Sequence, residues 1–144
     1  MASPAKKLIG NPMLIFMHAV TIANKRNKKI ILGVANVWTK EKGLYDFIKL
    51  SEKLDDSFVI VLVGVDDKIQ KILPNNILAI KRTDNQIDLA KIYTIADVFV
   101  NPTYEDNYPT TNLESIACGT FTVCYNTGGC KEQISAKGIV EVGN

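Results

Sequence analysis

Short apolar runs that alternate with helical stretches constrain the fold of this chain more than any other feature. The first run, residues 30–35, is continuous, rich in β-branched residues and preceded by charge, which is typical of a strand buried in a parallel sheet. Similar runs follow at residues 58–63, 77–80, 97–100, 121–125 and 138–142. Helical spacing lies between them, as in the apolar face formed by Leu89, Ile92, Tyr93 and Ala96. The pattern predicts right-handed βαβ units, and therefore an α/β, Rossmann-like parallel sheet with helices on both faces.

The domain that this pattern predicts covers residues 29–144. Residues 1–28 lack the strand pattern and are interpreted as a linker, a tag remnant or a helix docked on the domain. Within them, Met13, Phe16, Met17 and Val20 repeat at i, i+3, i+4 and i+7, which favours an amphipathic helix over a signal peptide. The apolar run is shorter than the roughly 18 residues that a transmembrane helix requires.

Composition excludes several classes of function. The balance of 17 basic and 15 acidic residues leaves a net charge of +2, too small to favour nucleic acid as a partner. Cys118, Cys124 and Cys130 contain no C-x-x-C spacing, which argues against zinc and against a redox dithiol, and we expect Cys130 to be the more exposed. Reduced thiols suit a cytoplasmic protein. His18 is the only histidine, so neither a catalytic triad nor a metal site is expected.

Residues 101–132 carry the chemistry-bearing side chains. They are predicted to form a strand end, an acidic loop, a helix, a second strand and a Gly-Gly turn. This order puts Asp106, Glu114, Gly128 and Gly129 along one edge of the sheet, where open α/β folds bind ligands. A crevice of carboxylates, a helix start and a glycine turn suits a polyol that carries a phosphate, such as a nucleotide sugar.

The acids near this helix have two interpretations each. Thr111 and Glu114 fit a capping box, in which the glutamate bonds back to its own helix; alternatively Glu114 accepts hydrogen bonds from two ribose hydroxyls. Asp106 either complements the helix dipole or contacts a sugar together with Asn107 and Tyr108. Backbone N–H groups from Tyr108 through Thr110 to Thr111 favour a phosphate.

Two further loops offer cations. Lys42 follows the first strand and precedes a helix, so it could reach a diphosphate, although a solvated lysine is the alternative. Arg82 follows the third strand and is a candidate for contact with a base or a phosphate. Gly128 and Gly129 are, on their own, equally compatible with an ordinary turn.

Taken together, these motifs resemble a known family. Asp106-x7-Glu114 is followed by Ser-Ile-Ala-Cys-Gly-Thr and then by Tyr-Asn-Thr-Gly-Gly-x-x-Glu. The combination resembles the C-terminal, donor-binding domain of retaining glycosyltransferases with the GT-B fold, the group 1 or family 4 enzymes. The segment EDNYPTTNLE is most similar to bacterial enzymes of capsular or surface polysaccharide synthesis. The resemblance covers residues 29–142, with its specific part at residues 96–132.

The resemblance implies roles for several residues. Asp106 matches the first acid of an E-x7-E motif, which contacts the transferring sugar and is often assigned the catalytic role. Glu114 matches the second, which holds the nucleotide ribose. Lys42 matches the basic residue that binds the donor diphosphate, and Gly128 and Gly129 match the loop near the donor.

The resemblance also implies what the chain works with. The donor is expected to be a UDP- or GDP-linked sugar, bound as substrate with no resident cofactor. The resemblance leads us to expect that an acceptor-binding N-terminal domain is missing from this chain, that the domain is truncated at its C-terminus, and that the isolated chain is inactive. Peripheral association of the full enzyme with a membrane is a further expectation.

Four positions depart from the family pattern. The first acid is an aspartate, Asn36-Val37 replaces a Gly-Arg pair, and Lys131 replaces a proline. The alternative function is a non-catalytic nucleotide-binding or interaction module of the same fold. A phospho-acceptor signalling domain is disfavoured, because it needs acids where the chain has Asn36-Val37-Trp38.

Overall fold

The computed structural model describes residues 11–83, 85–105 and 109–142. Its strands are β1 (Lys29–Val34), β2 (Phe58–Val63), β3 (Ile77–Ile80), β4 (Val98–Asn101), β5 (Thr122–Tyr125) and β6 (Ile139–Val140). Its α-helices are α1 (Pro12–Lys25), α2 (Leu44–Lys53), α3 (Asp67–Gln70), α4 (Gln86–Ile95), α5 (Thr110–Ala117) and α6 (Cys130–Gln133), with a 3₁₀ turn over Ala136–Gly138.

The six strands form one parallel sheet in the order β3-β2-β1-β4-β5-β6. The chain winds outward from β1 to β3, crosses back through α4, and then winds outward in the other direction from β4 to β6. This doubly wound arrangement confirms the predicted α/β, Rossmann-like fold, with helices on both faces of the sheet.

Each face of the sheet has its own hydrophobic core. On one face, α1 and α4 cover the centre of the sheet, and α5 packs beside α4. The buried members of this core are Phe16, Val20, Ala23, Ile30, Leu32, Val61, Val63, Ile80, Ile92, Tyr93, Ala96 and Phe99. On the other face, α2 packs through Leu44 and Phe47 against Ile31, Ile60 and Leu62.

Most element boundaries lie within one or two residues of the sequence-based expectation. The stretch around Phe16 and Val20 forms the predicted amphipathic helix α1, and both side chains are buried. The predicted helix over residues 68–73 is wrong in length, because α3 ends at Gln70 and a turn carries the chain to β3. Among the described residues, no helix is long and apolar enough to cross a membrane.

Candidate functional site

The topological switch point of the sheet lies between β1 and β4. These strands are neighbours, with Ile31 paired to Val98 and Leu32 to Phe99, yet the connections that leave them wind in opposite directions. The loops after the two strands lie together at the carboxyl edge of the sheet, where open α/β sheets usually bind a ligand in a crevice.

The β1–α2 loop forms one wall of this crevice, and its anchor is Trp38. The Trp38 indole is buried, donates a hydrogen bond from Nε1 to the Val63 carbonyl at 3.0 Å and meets the Phe47 ring edge-on. Further along, the backbone N–H of Lys42 donates to the carbonyl and the hydroxyl of Thr39, at 3.2 and 3.3 Å. Lys42 is thus held in a tight turn at the start of α2.

The β1–α2 loop is joined directly to the β4–α5 loop. The backbone N–H of Tyr104 donates to the Glu41 carbonyl at 2.8 Å, and the Thr103 hydroxyl donates to the same oxygen at 3.4 Å. Gly43 lies so close to Pro102 that a Cβ at position 43 would meet the proline Cγ and carbonyl oxygen at 2.4 Å. The two walls are therefore in backbone contact at the base of the crevice.

A third loop, between β5 and α6, joins the same junction. The Thr127 hydroxyl donates to the Thr103 carbonyl at 2.8 Å. Gly128 follows with a φ of +48°, and the buried Gly129 leads into α6. The loops after β1, β4 and β5, which carry three of the predicted groups of site residues, thus converge on Thr103.

A carboxylate beneath this junction holds two phenols. Asp46, in the first turn of α2, accepts hydrogen bonds through Oδ2 from the hydroxyls of Tyr104 and Tyr125, whose ring centroids are 5.4 Å apart. The hydrogen bond to Asp46 raises the pKa of Tyr104, and burial with the same hydrogen bond raises the pKa of Tyr125. Both phenols are therefore protonated donors at neutral pH.

Glu114 does not cap its own helix, so the capping-box interpretation is wrong. Helix α5 begins at Thr110, its N-cap residue is Pro109, and no side chain of the described residues caps it. Glu114 therefore lies in the second turn, where its exposed carboxylate accepts a hydrogen bond through Oε1 from the Tyr93 hydroxyl at 3.0 Å. Thr110 is exposed at the first position of the helix.

A buried polar network behind the helix start was missed by the sequence analysis. Asn112 is fully buried; its side chain accepts from Asn101 at 3.0 Å and donates to Gln133 at 3.0 Å. Gln133 in turn donates to the Pro109 carbonyl at 3.0 Å. The network ties β4, α5 and α6 together where the acidic loop rejoins the helix.

The prediction that Cys130 is exposed is wrong, because Cys130 belongs to this buried network. Its side chain is fully buried and its sulfur accepts a hydrogen bond from Asn112 at 3.7 Å, because α6 folds back against α5. A signal for this network was present in the helix sequence: the polar Asn112 and Ser115 share one face of α5 and face inward, while Leu113 and Ile116 are 40% and 42% exposed.

The remaining candidates are not all brought to the crevice. Arg82 is exposed after β3, two strands from β1 and therefore roughly 10 Å along the edge, beside a Lys81–Asp67 ion pair of 3.3 Å. Asp106, Asn107 and Tyr108 lie outside the described residues. Asn36 and Val37 are both exposed at the start of the β1–α2 loop.

A cleft of about 410 Å³ lies away from this crevice. It is lined by the amino-terminal ends of β2 and β3 and by α1, with Phe58, Ile77 and Ile22 among its walls. It contains none of the predicted site residues. Cavity size alone therefore does not identify the crevice at the switch point.

The sequence matches the family described as "Glycosyl transferases group 1" over residues 20–143. It is 31% identical over 116 residues to the N,N'-diacetylbacillosaminyl-diphospho-undecaprenol alpha-1,3-N-acetylgalactosaminyltransferase of Campylobacter jejuni, and the alignment covers 78% of this chain and 30% of that enzyme. The chain therefore spans less than a third of that relative's length.

Solved structures share the fold. The structure of Anabaena HepE in complex with UDP and glucose superimposes with a TM-score of 0.74 at 14% identity, over 94% of this chain and 40% of that one. The C-terminal domain of the Francisella tularensis glycosyl transferase group 1 protein LpcC gives a TM-score of 0.63 at 17% identity, over 94% and 77%. Because the family match covers most of the sequence and the relative exceeds 30% identity, this chain belongs to the group 1 glycosyl transferases.

Proposed function

We propose that this chain is the donor-binding domain of a retaining glycosyltransferase, which moves a sugar from a nucleoside diphosphate to an acceptor hydroxyl during synthesis of a capsular or other surface glycan. The observation that carries the proposal is the convergence of the β1, β4 and β5 loops on Thr103 at the switch point. Lys42 lies in one of these loops, and Glu114 lies on the helix that follows another.

Glu114 is the proposed ribose ligand. Its exposed carboxylate can accept hydrogen bonds from two neighbouring hydroxyls, and charge assistance makes such bonds stronger than neutral ones. The UDP and glucose in the HepE structure support a uridine donor, and GDP is the alternative. The Campylobacter relative, by its name an N-acetylgalactosaminyltransferase, supports an N-acetylated sugar.

Lys42 and the start of α5 are the proposed diphosphate ligands. Within the part of the chain that the structure describes, no side chain caps the first backbone N–H groups of α5, and together with the helix dipole these groups favour an anion. An ammonium from Lys42 and these amides would stabilise the negative charge that develops on the departing diphosphate. The Gly128–Gly129 loop would border the donor, and Asp106 is the proposed contact for the transferring sugar by its match to the family motif.

The complete enzyme would need a second, acceptor-binding domain. The chain spans 30% of the Campylobacter relative and 40% of HepE, which leaves room for such a domain in those proteins. We therefore expect the isolated chain to bind nucleotide but to transfer little sugar. A lipid-linked acceptor, as in that relative's name, would bring the full cytoplasmic enzyme to a membrane surface. The family match makes a non-catalytic module the less favoured function.

Titration calorimetry with UDP and with GDP tests the proposal. We expect one of them to bind wild-type protein, and Glu114→Gln to weaken that binding roughly 10- to 150-fold, the equivalent of about 1.5–3 kcal/mol for a charged hydrogen bond. The matched control is Glu52→Gln, which removes the same charge from an exposed position on α2. A folded sample that binds neither nucleotide would refute donor binding.

A further inference from the structure

Tyr93 is held from three directions. Its ring is 1% exposed and packs edge-on against Phe99, with centroids 5.3 Å apart. Its backbone carbonyl accepts a hydrogen bond from the Thr120 hydroxyl. The ring therefore has one position between α4, β4 and the turn after α5, and its hydroxyl has a fixed location.

That hydroxyl is aimed at a candidate site residue. It donates to Oε1 of Glu114 at 3.0 Å, across 21 positions of sequence. Burial, together with the neighbouring Glu114 carboxylate, raises the pKa of Tyr93 above its ordinary value. The phenol therefore remains a proton donor throughout the pH range in which proteins are assayed, and the carboxylate always has this partner.

The hydrogen bond leaves the rest of the carboxylate available. Glu114 is exposed as a residue, and its second oxygen has lone pairs of its own. An exposed glutamate otherwise samples several rotamers, and ordering it upon ligand binding costs entropy. A fixed donor at Oε1 orders the Glu114 side chain when the protein folds, so that less entropy is lost when a ligand binds. The binding group is thus preorganised.

We propose that Tyr93 is a positioning residue, whose buried hydroxyl orients the Glu114 carboxylate so that it can receive the ribose hydroxyls of the donor nucleotide. This inference rests on the proposed donor-binding function and adds to it a residue that contacts no donor itself. It predicts that Tyr93 contributes to recognition of ribose and not to recognition of the diphosphate.

A purely structural tie between α4 and α5 makes a different prediction. Loss of such a tie would lower stability but would leave the preference for ribose over dideoxyribose intact. The test therefore compares UDP with 2′,3′-dideoxy-UDP, and GDP with 2′,3′-dideoxy-GDP, which lack both hydroxyls, by calorimetry on Tyr93→Phe, Glu114→Ala and the double variant. Tyr45→Phe is the matched control, since Tyr45 is 49% exposed on α2.

We expect Tyr93→Phe to weaken binding of the ribonucleotide roughly 3- to 10-fold and binding of the dideoxynucleotide less than about 2-fold. In the Glu114→Ala background, Tyr93→Phe should cause no further loss, because the hydroxyl acts only through that carboxylate. Tyr45→Phe should bind both nucleotides as wild-type protein does.

Failure of donor binding and failure of the positioning role of Tyr93 give different results. If folded wild-type protein binds neither ribonucleotide, donor binding fails and the role of Tyr93 fails with it. If wild-type protein prefers the ribonucleotide and Tyr93→Phe keeps the full preference, donor binding survives and the positioning role is overturned. A further loss of ribose preference in the double variant would also overturn it, since Tyr93 would then act by another route.

Discussion

Gly43 offers the sharpest test of the junction between the β1–α2 and β4–α5 loops. Its φ of +88° lies in the left-handed region, and a Cβ there would approach both Cγ and the carbonyl oxygen of Pro102 to 2.4 Å. Gly119 provides a matched control, because its φ is +76° and a Cβ there would meet no atom within 4 Å. Alanine at either position suffers the backbone strain, but only alanine at position 43 meets a steric clash.

The two substitutions should therefore differ in size. A left-handed alanine costs about 1–2 kcal/mol, which is the whole expected loss for Gly119→Ala. Forcing an extra methyl group into a packed contact adds about 1–3 kcal/mol, so Gly43→Ala should lose roughly 2–5 kcal/mol. With a urea m value of about 2 kcal/mol per M, these losses lower the unfolding midpoint by about 0.5–1 M and 1–2.5 M.

Urea unfolding followed by circular dichroism measures both losses, and calorimetry at low temperature measures nucleotide binding by the folded variants. Gly43→Ala should also weaken UDP or GDP binding, because relief of the clash moves the Lys42 loop away from the β4–α5 loop. Equal midpoints for the two variants would refute the argument that close contact at Pro102 demands glycine. Unchanged nucleotide binding by folded Gly43→Ala would separate this junction from the donor site.

Two further predictions concern the phenols. Folded Tyr93 keeps its proton, whereas the unfolded side chain releases it near pH 10. The free energy of unfolding of wild type relative to Tyr93→Phe, measured in urea, should therefore fall by about 1.4 kcal/mol between pH 8 and pH 11. A difference that stays constant with pH would contradict the argument that burial keeps the phenol protonated. Asp46→Ala removes the shared acceptor of Tyr104 and Tyr125 and should lower the free energy of unfolding by about 1–3 kcal/mol. Glu52→Ala is an exposed control on the same helix and should change the free energy of unfolding by less than about 0.5 kcal/mol. Equal losses would show that the phenols do not depend on Asp46.

The sheet was predictable from sequence because its strands are continuous apolar runs. Five strands were bounded within a residue or two, and the left-handed glycine after α5 was expected as a helix terminator and is found at Gly119. The sixth run was predicted too long, since β6 pairs only through Ile139 and Val140. The pattern of apolar residues indicates which residues are buried, and these strands were predictable because they are buried in the sheet.

The site was less predictable because its contacts depend on tertiary structure. Spacing alone left Glu114 between capping and ligand binding; Pro109 as the N-cap rules out capping, and the hydrogen-bond partner of Glu114 is a tyrosine on another helix. Tyr93 was predicted correctly on the apolar face of α4, but no local pattern indicates which residue its hydroxyl meets. The inward orientation of Asn112 likewise depends on α6 folding back against α5.

The order of strands decides which loops can cooperate. Glu41 and Thr103 are 62 positions apart in sequence, yet they are hydrogen bonded because the chain reverses its winding after β3 and returns to lie beside β1. Arg82 follows a strand of the same edge but lies two strands outward, so the same reversal separates it from the crevice. A residue at the end of a strand is therefore a stronger site candidate when its strand borders the switch point, which is the case for the strand before Lys42 and for the strand before the loop that leads to Glu114.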